Sequence, residues 1–156
     1  MLDRKTRILV VDDMPTSRKI VKKYLSEIGY NLVDEATDGE MAWTKILGSN
    51  PQYGLIIADW HMPNISGLDL LKKVRAKDEY KNLPFILVTG ERKQNEIKEA
   101  INCGVTNYVV KPFQAETLFK AVEKIKPPVD EVHKMDEELK KMDETREELK
   151  LSGKSK

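Results

Sequence analysis

Two short apolar runs in this chain end in acid. Ile8-Leu9-Val10-Val11 runs into Asp12-Asp13, and Leu55-Ile56-Ile57-Ala58 runs into Asp59, which opens the stretch Asp59-Trp60-His61-Met62-Pro63. Apolar runs of this length, bounded by loop residues, predict central strands of a parallel sheet, buried on both faces. In an open α/β sheet the working crevice lies outside the carboxyl ends of the strands. Three carboxylates at two such ends would converge on one spot. Like charges at close range resist joint ionisation, and a divalent cation removes that cost. The pattern predicts an acidic, magnesium-type pocket with one aspartate available for chemistry.

The rest of the chain alternates between strand-like and helix-like patterns. Pro15 fits the first turn of a helix whose stripe is Ile20, Val21, Tyr24, Leu25 and Ile28, and Gly29 ends it. Leu32-Val33 is the expected second strand, and Asp38-Gly39 opens a helix carrying Met41, Ala42, Ile46 and Leu47. Gly67 leads a third helix with Leu68, Leu70, Leu71 and Val74. Pro84 starts a fourth strand through Phe85-Ile86-Leu87-Val88 to Thr89-Gly90, since proline is tolerated at a strand's first residue. Ile97, Ala100 and Ile101 mark a fourth helix closed by Gly104, Tyr108-Val109-Val110 a fifth strand ending at Lys111-Pro112, and Leu118, Phe119, Val122 and Ile125 a fifth helix. Parallel strands need crossover connections, here helices, which are right-handed almost without exception. The expected fold of residues 1–127 is an α/β, doubly wound, five-stranded parallel sheet flanked by five helices.

After Pro127-Pro128 the composition changes. Val132, Met135, Leu139, Met142 and Leu149 recur at alternating spacings of three and four, with Arg146 in one core slot. Acid precedes base at i,i+4 in the pairs Asp130–Lys134, Asp136–Lys140 and Glu137–Lys141, the favourable order on a helix. Residues 128–156 are read as a charged amphipathic extension, helical over 129–150, with a frayed tail. Self-association through 129–150, or a cover folded over the fifth helix, are the roles it suggests. Coiled-coil dimers of this length are marginal in water.

Charge is nearly balanced, with 27 Lys and Arg against 26 Asp and Glu. No basic field marks a nucleic-acid partner. No apolar stretch approaches the ~20 residues of a membrane helix. The chain enters its first strand without an apolar leader, and its single cysteine, Cys103, forms no internal disulfide. A cytoplasmic setting is the expectation. Cys103 reads as a small core residue, and His133 as part of the tail's charged surface.

The strand ends together supply Asp12, Asp13 and Asp59, the Thr89 hydroxyl beside Gly90, and the Lys111 ammonium. Hard carboxylate oxygens suit Mg²⁺. An aspartate can attack phosphorus to form an acyl phosphate, and phosphoryl transfer asks mainly for positioning and charge neutralisation. A phosphatase with its nucleophile on the first strand would want an acid two residues after Asp12, where Met14 stands. A nucleotide-binding loop would want glycine, which Asp13-Met14-Pro15 lacks. A DNA-binding output is not expected, since residues 129–156 carry nine acids against seven bases.

Asp12-Asp13, Asp59-Trp60-His61-Met62-Pro63, Thr89-Gly90 and Tyr108-Val109-Val110-Lys111-Pro112-Phe113 resemble the response-regulator receiver domain, from about residue 6 to about 126, and within it the chemotaxis receivers. The resemblance implies a flavodoxin-like strand order 2-1-3-4-5 and phosphoryl transfer from a histidine kinase to Asp59. It implies Mg²⁺ held by Asp13, Asp59 and the His61 carbonyl, with Asp12 acting through water. Lys111 would contact the phosphoryl group, Thr89 would shift toward it, Tyr108 would turn inward, and Lys111–Pro112 would be cis. A flagellar motor switch protein would read the changed surface, and a phosphatase would reset it. An adaptor, phosphate sink or dimeric scaffold is the alternative role. His61 replaces a common asparagine, and with Glu91 it is a candidate for control of phosphoryl lifetime. Ser66 replaces a common aspartate and Met14 a frequent aromatic. Trp60 is either a reporter of metal binding or a packing residue.

Overall fold

The computed structural model describes residues 2–90, 94–125 and 140–146. Five strands, β1 (Ile8–Val11), β2 (Val33–Ala36), β3 (Leu55–Asp59), β4 (Phe85–Thr89) and β5 (Asn107–Val110), form one parallel sheet in the order β2-β1-β3-β4-β5. Five helices follow them in turn, α1 (Pro15–Glu27), α2 (Gly39–Gly48), α3 (Gly67–Ala76), α4 (Gln94–Asn102) and α5 (Ala115–Glu123), with a 3₁₀ turn at Asp78–Tyr80.

The apolar runs of β1, β3 and β4 are continuous because helices cover both faces. Ile8, Val10, Leu55, Ile57, Ile86 and Val88 pack with Val21 and Leu25 of α1 and Leu118 and Val122 of α5. Leu9, Val11, Ile56, Ala58, Phe85 and Leu87, one position out of phase, pack with Ala42 and Ile46 of α2, Leu71 and Val74 of α3, and Ala100 of α4. The period of two sorts neighbours in one strand into opposite layers.

The edge strand differs from its expected position. β2 spans Val33–Ala36, while Leu32 precedes it and is exposed. Only Ala36 of β2 is fully buried, so apolar content does not mark the strand, and its ladder to β1 does. Ile20 is exposed and not part of the buried stripe of α1. Cys103 is half-buried against the α2–α3–α4 layer. Gly29 and Gly104 end their helices with φ of 92° and 85°, the left-handed conformation that favours glycine.

Of the expected extension, residues 140–146 are helical and exposed. The remainder of 129–150, including His133, lies outside the described residues, as does Glu91. No helix among the described residues is long and apolar enough to cross a membrane.

Candidate phosphoryl and metal site

The site forms where the strand order changes direction, outside the carboxyl ends of β1 and β3, with β4 and β5 completing one side. Asp12 follows β1 directly. Its N–H donates to the Ala36 carbonyl of β2 at 3.1 Å, and its Oδ1 accepts the Met14 N–H at 2.9 Å, a local turn that starts α1. Asp59 is the last residue of β3. The next amide, Trp60 N–H, donates to the Val88 carbonyl of β4 at 2.8 Å.

The loop after Asp59 is held by close backbone approach. Gly67 N–H donates to the Trp60 carbonyl at 2.9 Å, and a Cβ on Gly67 would lie 2.2 Å from the Asp59 carbonyl oxygen. Ile65 packs closely on Gly39, at the start of α2, where a Cβ would meet it at 2.8 Å. Ser66 caps α3 by accepting the Asp69 N–H at 3.1 Å, and Asp38 caps α2 by accepting the Met41 N–H at 2.7 Å. Trp60 is buried in the core layer beneath the loop, which favours the packing role.

Lys111 arrives from the far edge of the sheet. Its N–H donates to the Thr89 carbonyl at 2.7 Å, and a cis Lys111–Pro112 peptide follows. Its Nζ lies 3.1 Å from Asp12 Oδ2 and 3.6 Å from Asp59 Oδ2. The Asp12 and Asp59 side chains keep only 7% and 12% of their exposure, so this ammonium acts through little water. Burial pushes the Asp59 carboxyl above the ordinary carboxylate range. The Lys111 ammonium opposes that, and Asp12 and Asp13 add to it.

Asp12, Asp13 and Asp59 bring carboxylate oxygens within 4.8 Å of one another. Three carboxylates against one ammonium leave two negative charges, which suits a divalent cation bound by hard oxygen ligands. Thr89 is buried at the end of β4, whereas Tyr108 on β5 and His61 in the loop are exposed. A cavity of about 430 Å³ opens beside the carboxylates, between the sheet, Ser17, Ile20 and Tyr24 of α1, and Phe113.

The geometry adds residues that the motifs leave out. Arg18 Nη1 donates to the Asp12 carbonyl at 2.7 Å, while its Nε donates to Glu35 of β2 at 3.2 Å. No spacing rule marks Arg18, which reads in sequence as one more helix cation. Gly67 is visible as a helix start, but not as the point where α3 touches the backbone of Asp59. The Ser66 cap is a further residue that the motifs leave out, and the Ser66-x-x-Asp69 spacing is the signal that marks it.

Comparison with known proteins agrees with this geometry. Residues 8–123 match the profile of the response regulator receiver domain. The chain belongs to the response regulator receiver family. It is 42% identical over 125 residues to chemotaxis protein CheY-3 of Vibrio cholerae, covering 80% of this chain and 95% of that one. It is 45% identical over 117 residues to chemotaxis protein CheY1 of Helicobacter pylori, covering 75% and 94%. The structure of chemotaxis protein CheY4 of Vibrio cholerae superposes with a TM-score of 0.71 at 33% identity, covering 78% of this chain and 98% of that one. Receiver domains are signalling domains, and this receiver has the five-stranded order of its family.

Proposed function

We propose that this receiver is switched by phosphorylation of Asp59 in a chemotaxis pathway. The observation that carries the reading is the half-buried Asp59 carboxylate with Lys111 Nζ at 3.6 Å and the oxygens of Asp12 and Asp13 beside it. A carboxylate oxygen of Asp59 attacks the phosphorus of a phosphohistidine. The new O–P bond forms as the P–N bond breaks, and the histidine of the kinase leaves with the bonding electron pair.

Asp13 and Asp59, with the His61 backbone carbonyl and with Asp12 supporting, are the groups that would hold Mg²⁺. Bound there, Mg²⁺ would supply charge neutralisation at the phosphoryl oxygens. Lys111 supplies a second positive charge, and its position between Asp12 and Asp59 lets it follow the new phosphoryl group. Hydrolysis of the acyl phosphate on the receiver itself closes the cycle. His61 and Glu91 control its rate in this reading, which unchanged decay in both His61→Ala and Glu91→Ala would remove.

Thr89 and Lys111 share a backbone hydrogen bond, so movement of the hydroxyl toward the phosphoryl group and adjustment of β5 are mechanically linked. Tyr108, exposed next to Val109, is the side chain that turns inward. The surface of α4, β5 and α5 then presents a different face, a two-state packing change biased by the modification. The chemotaxis relatives support a histidine kinase as donor and a flagellar motor switch protein as reader.

The test is transfer from a phosphorylated chemotaxis histidine kinase to the full-length protein, followed by capture on immobilised motor switch protein. The expected result is label on the wild-type chain, none on Asp59→Asn, and capture only after phosphorylation. Capture that ignores phosphorylation would remove the switch reading.

A further inference from the structure

We propose that Arg18 is a positioning residue for the acidic pocket: by holding the Asp12 carbonyl it fixes the Asp12–Asp13 peptide and so aims the Asp13 carboxylate. The proposal rests on the metal-site reading above and extends it to a residue outside the ligand set.

Asp12 and Asp59 are tied down directly. Asp12 has the Met14 N–H on one oxygen and Lys111 on the other. Asp59 is half-buried, with Lys111 Nζ at 3.6 Å. Asp13 is exposed, and no hydrogen bond or ion pair of its carboxylate occurs among the described residues. Among the described residues its direction is set through the backbone. The Asp12 carbonyl and the Asp13 N–H belong to one rigid peptide plane. The residue before that plane is anchored by Asp12 N–H to Ala36 of β2, and the plane itself by Arg18 Nη1 at 2.7 Å.

Arg18 can act as a fixed strut because it is itself held. Its side chain is only 13% exposed, and Nε donates to Glu35 Oε1 at 3.2 Å. Lys22 reaches the other Glu35 oxygen at 3.4 Å. Two nitrogens of one planar guanidinium thus face two acceptors, one on β2 and one at the end of β1. Lysine carries a single nitrogen and cannot span both. The guanidinium also places a positive charge behind three crowded carboxylates.

The experiment uses full-length protein with Arg18→Lys, Arg18→Met and, as a control, Arg75→Lys. Arg75 anchors carbonyls of Gly104, Tyr80 and Leu83 at the opposite end of the sheet, so its variant reports general loss of stability. Two quantities are read: the Mg²⁺ dissociation constant by calorimetry, and hydrogen exchange of the Met14 amide in metal-free protein. Loss of groups that orient metal ligands weakens binding roughly 10–100-fold. Both Arg18 variants are expected in that range with faster Met14 exchange, and Arg75→Lys with unchanged values. Unchanged affinity and exchange in Arg18→Lys and Arg18→Met, or an equal effect from Arg75→Lys, would overturn the proposal. Wild-type protein that takes up no Mg²⁺ would instead defeat the metal reading, and the Met14 exchange would still decide whether Arg18 fixes the turn.

Discussion

Lys111 Nζ lies 3.1 Å from Asp12 Oδ2 across 99 positions of sequence. The contact closes the sheet's far edge onto its first strand and provides the ammonium for three neighbouring carboxylates. Replacing Lys111 with methionine keeps the stem and removes the charge. Hydrogen bonds to charged groups contribute about 1.5–3 kcal/mol, so metal-free Lys111→Met should unfold at clearly lower temperature near neutral pH. Added Mg²⁺ should recover much of the loss. Thermal unfolding with and without Mg²⁺ checks both, and a variant as stable as wild type without metal would show that the contact contributes little.

Asp59→Asn should have the opposite effect. The folded state raises the Asp59 pKa, chiefly by burial, so native protein holds this proton to higher pH than the unfolded chain does. Stability therefore falls as pH rises from the ordinary 3.8 through the raised value, and charged Asp59 is a cost at pH 7. Removing the charge should stabilise metal-free protein on the order of 1 kcal/mol, a few degrees in Tm. The gain should vanish in acid. Mg²⁺ at about 100 times its Kd would stabilise a binding-competent protein by about 2.7 kcal/mol, and the variant should show less of this. Melting curves across pH, with and without Mg²⁺, carry the test.

Much of this site is legible in the sequence. Asp12, Asp59 and Lys111 each follow a strand-like apolar run, which places them at the carboxyl edge of a parallel sheet, and the strand order implied by the family resemblance brings those ends together. β2 was misplaced because an edge strand has one exposed flank, and Asp34 and Glu35 carry no apolar signal there. Arg18 was missed because its role depends on a peptide carbonyl, which no residue type reveals. The 3₁₀ turn at Asp78–Tyr80 also has no periodicity to betray it.

Gly67→Ala should be among the most damaging small substitutions in the chain. Its Cβ would meet the Asp59 carbonyl oxygen at 2.2 Å and Leu87 at 2.9 Å. The first is backbone, so β3 and α3 must separate. Overpacking of this kind costs roughly 1–3 kcal/mol, and here it also moves Asp59. Chemical denaturation and Mg²⁺ titration of the variant should both be impaired. Normal Mg²⁺ affinity in a destabilised variant would show that α3 can shift without disturbing the site.

At the opposite edge, Tyr53 donates to Asp34 Oδ2 at 2.6 Å, and Arg7 donates to the same oxygen at 2.7 Å while stacking on the Tyr53 ring. Burial, then Asp34, pushes the Tyr53 phenol from 10.0 up to about 12, whereas the Tyr53 hydrogen bond lowers Asp34. The tyrosine's contribution is complete below pH 10 and is lost as pH rises toward about 12. Phenolate absorbance of wild type minus Tyr53→Phe should rise late, together with alkaline unfolding. The variant should lose about 1 kcal/mol near neutral pH. A difference signal centred on the ordinary phenol value would contradict the geometry.

The central claim is that phosphorus bonds to a carboxylate oxygen of Asp59. Full-length protein treated with Mg²⁺ and a small phosphoryl donor, then reduced with borohydride, reports the acyl phosphate directly. Hydride reduces that mixed-anhydride carbonyl to the alcohol, phosphate leaves, and homoserine remains where the modified aspartate stood. Peptide mass mapping should find homoserine at position 59 alone, only with Mg²⁺, and never in Asp59→Asn. Homoserine at position 12 or 13, or phosphorylation that persists in Asp59→Asn, would contradict the account.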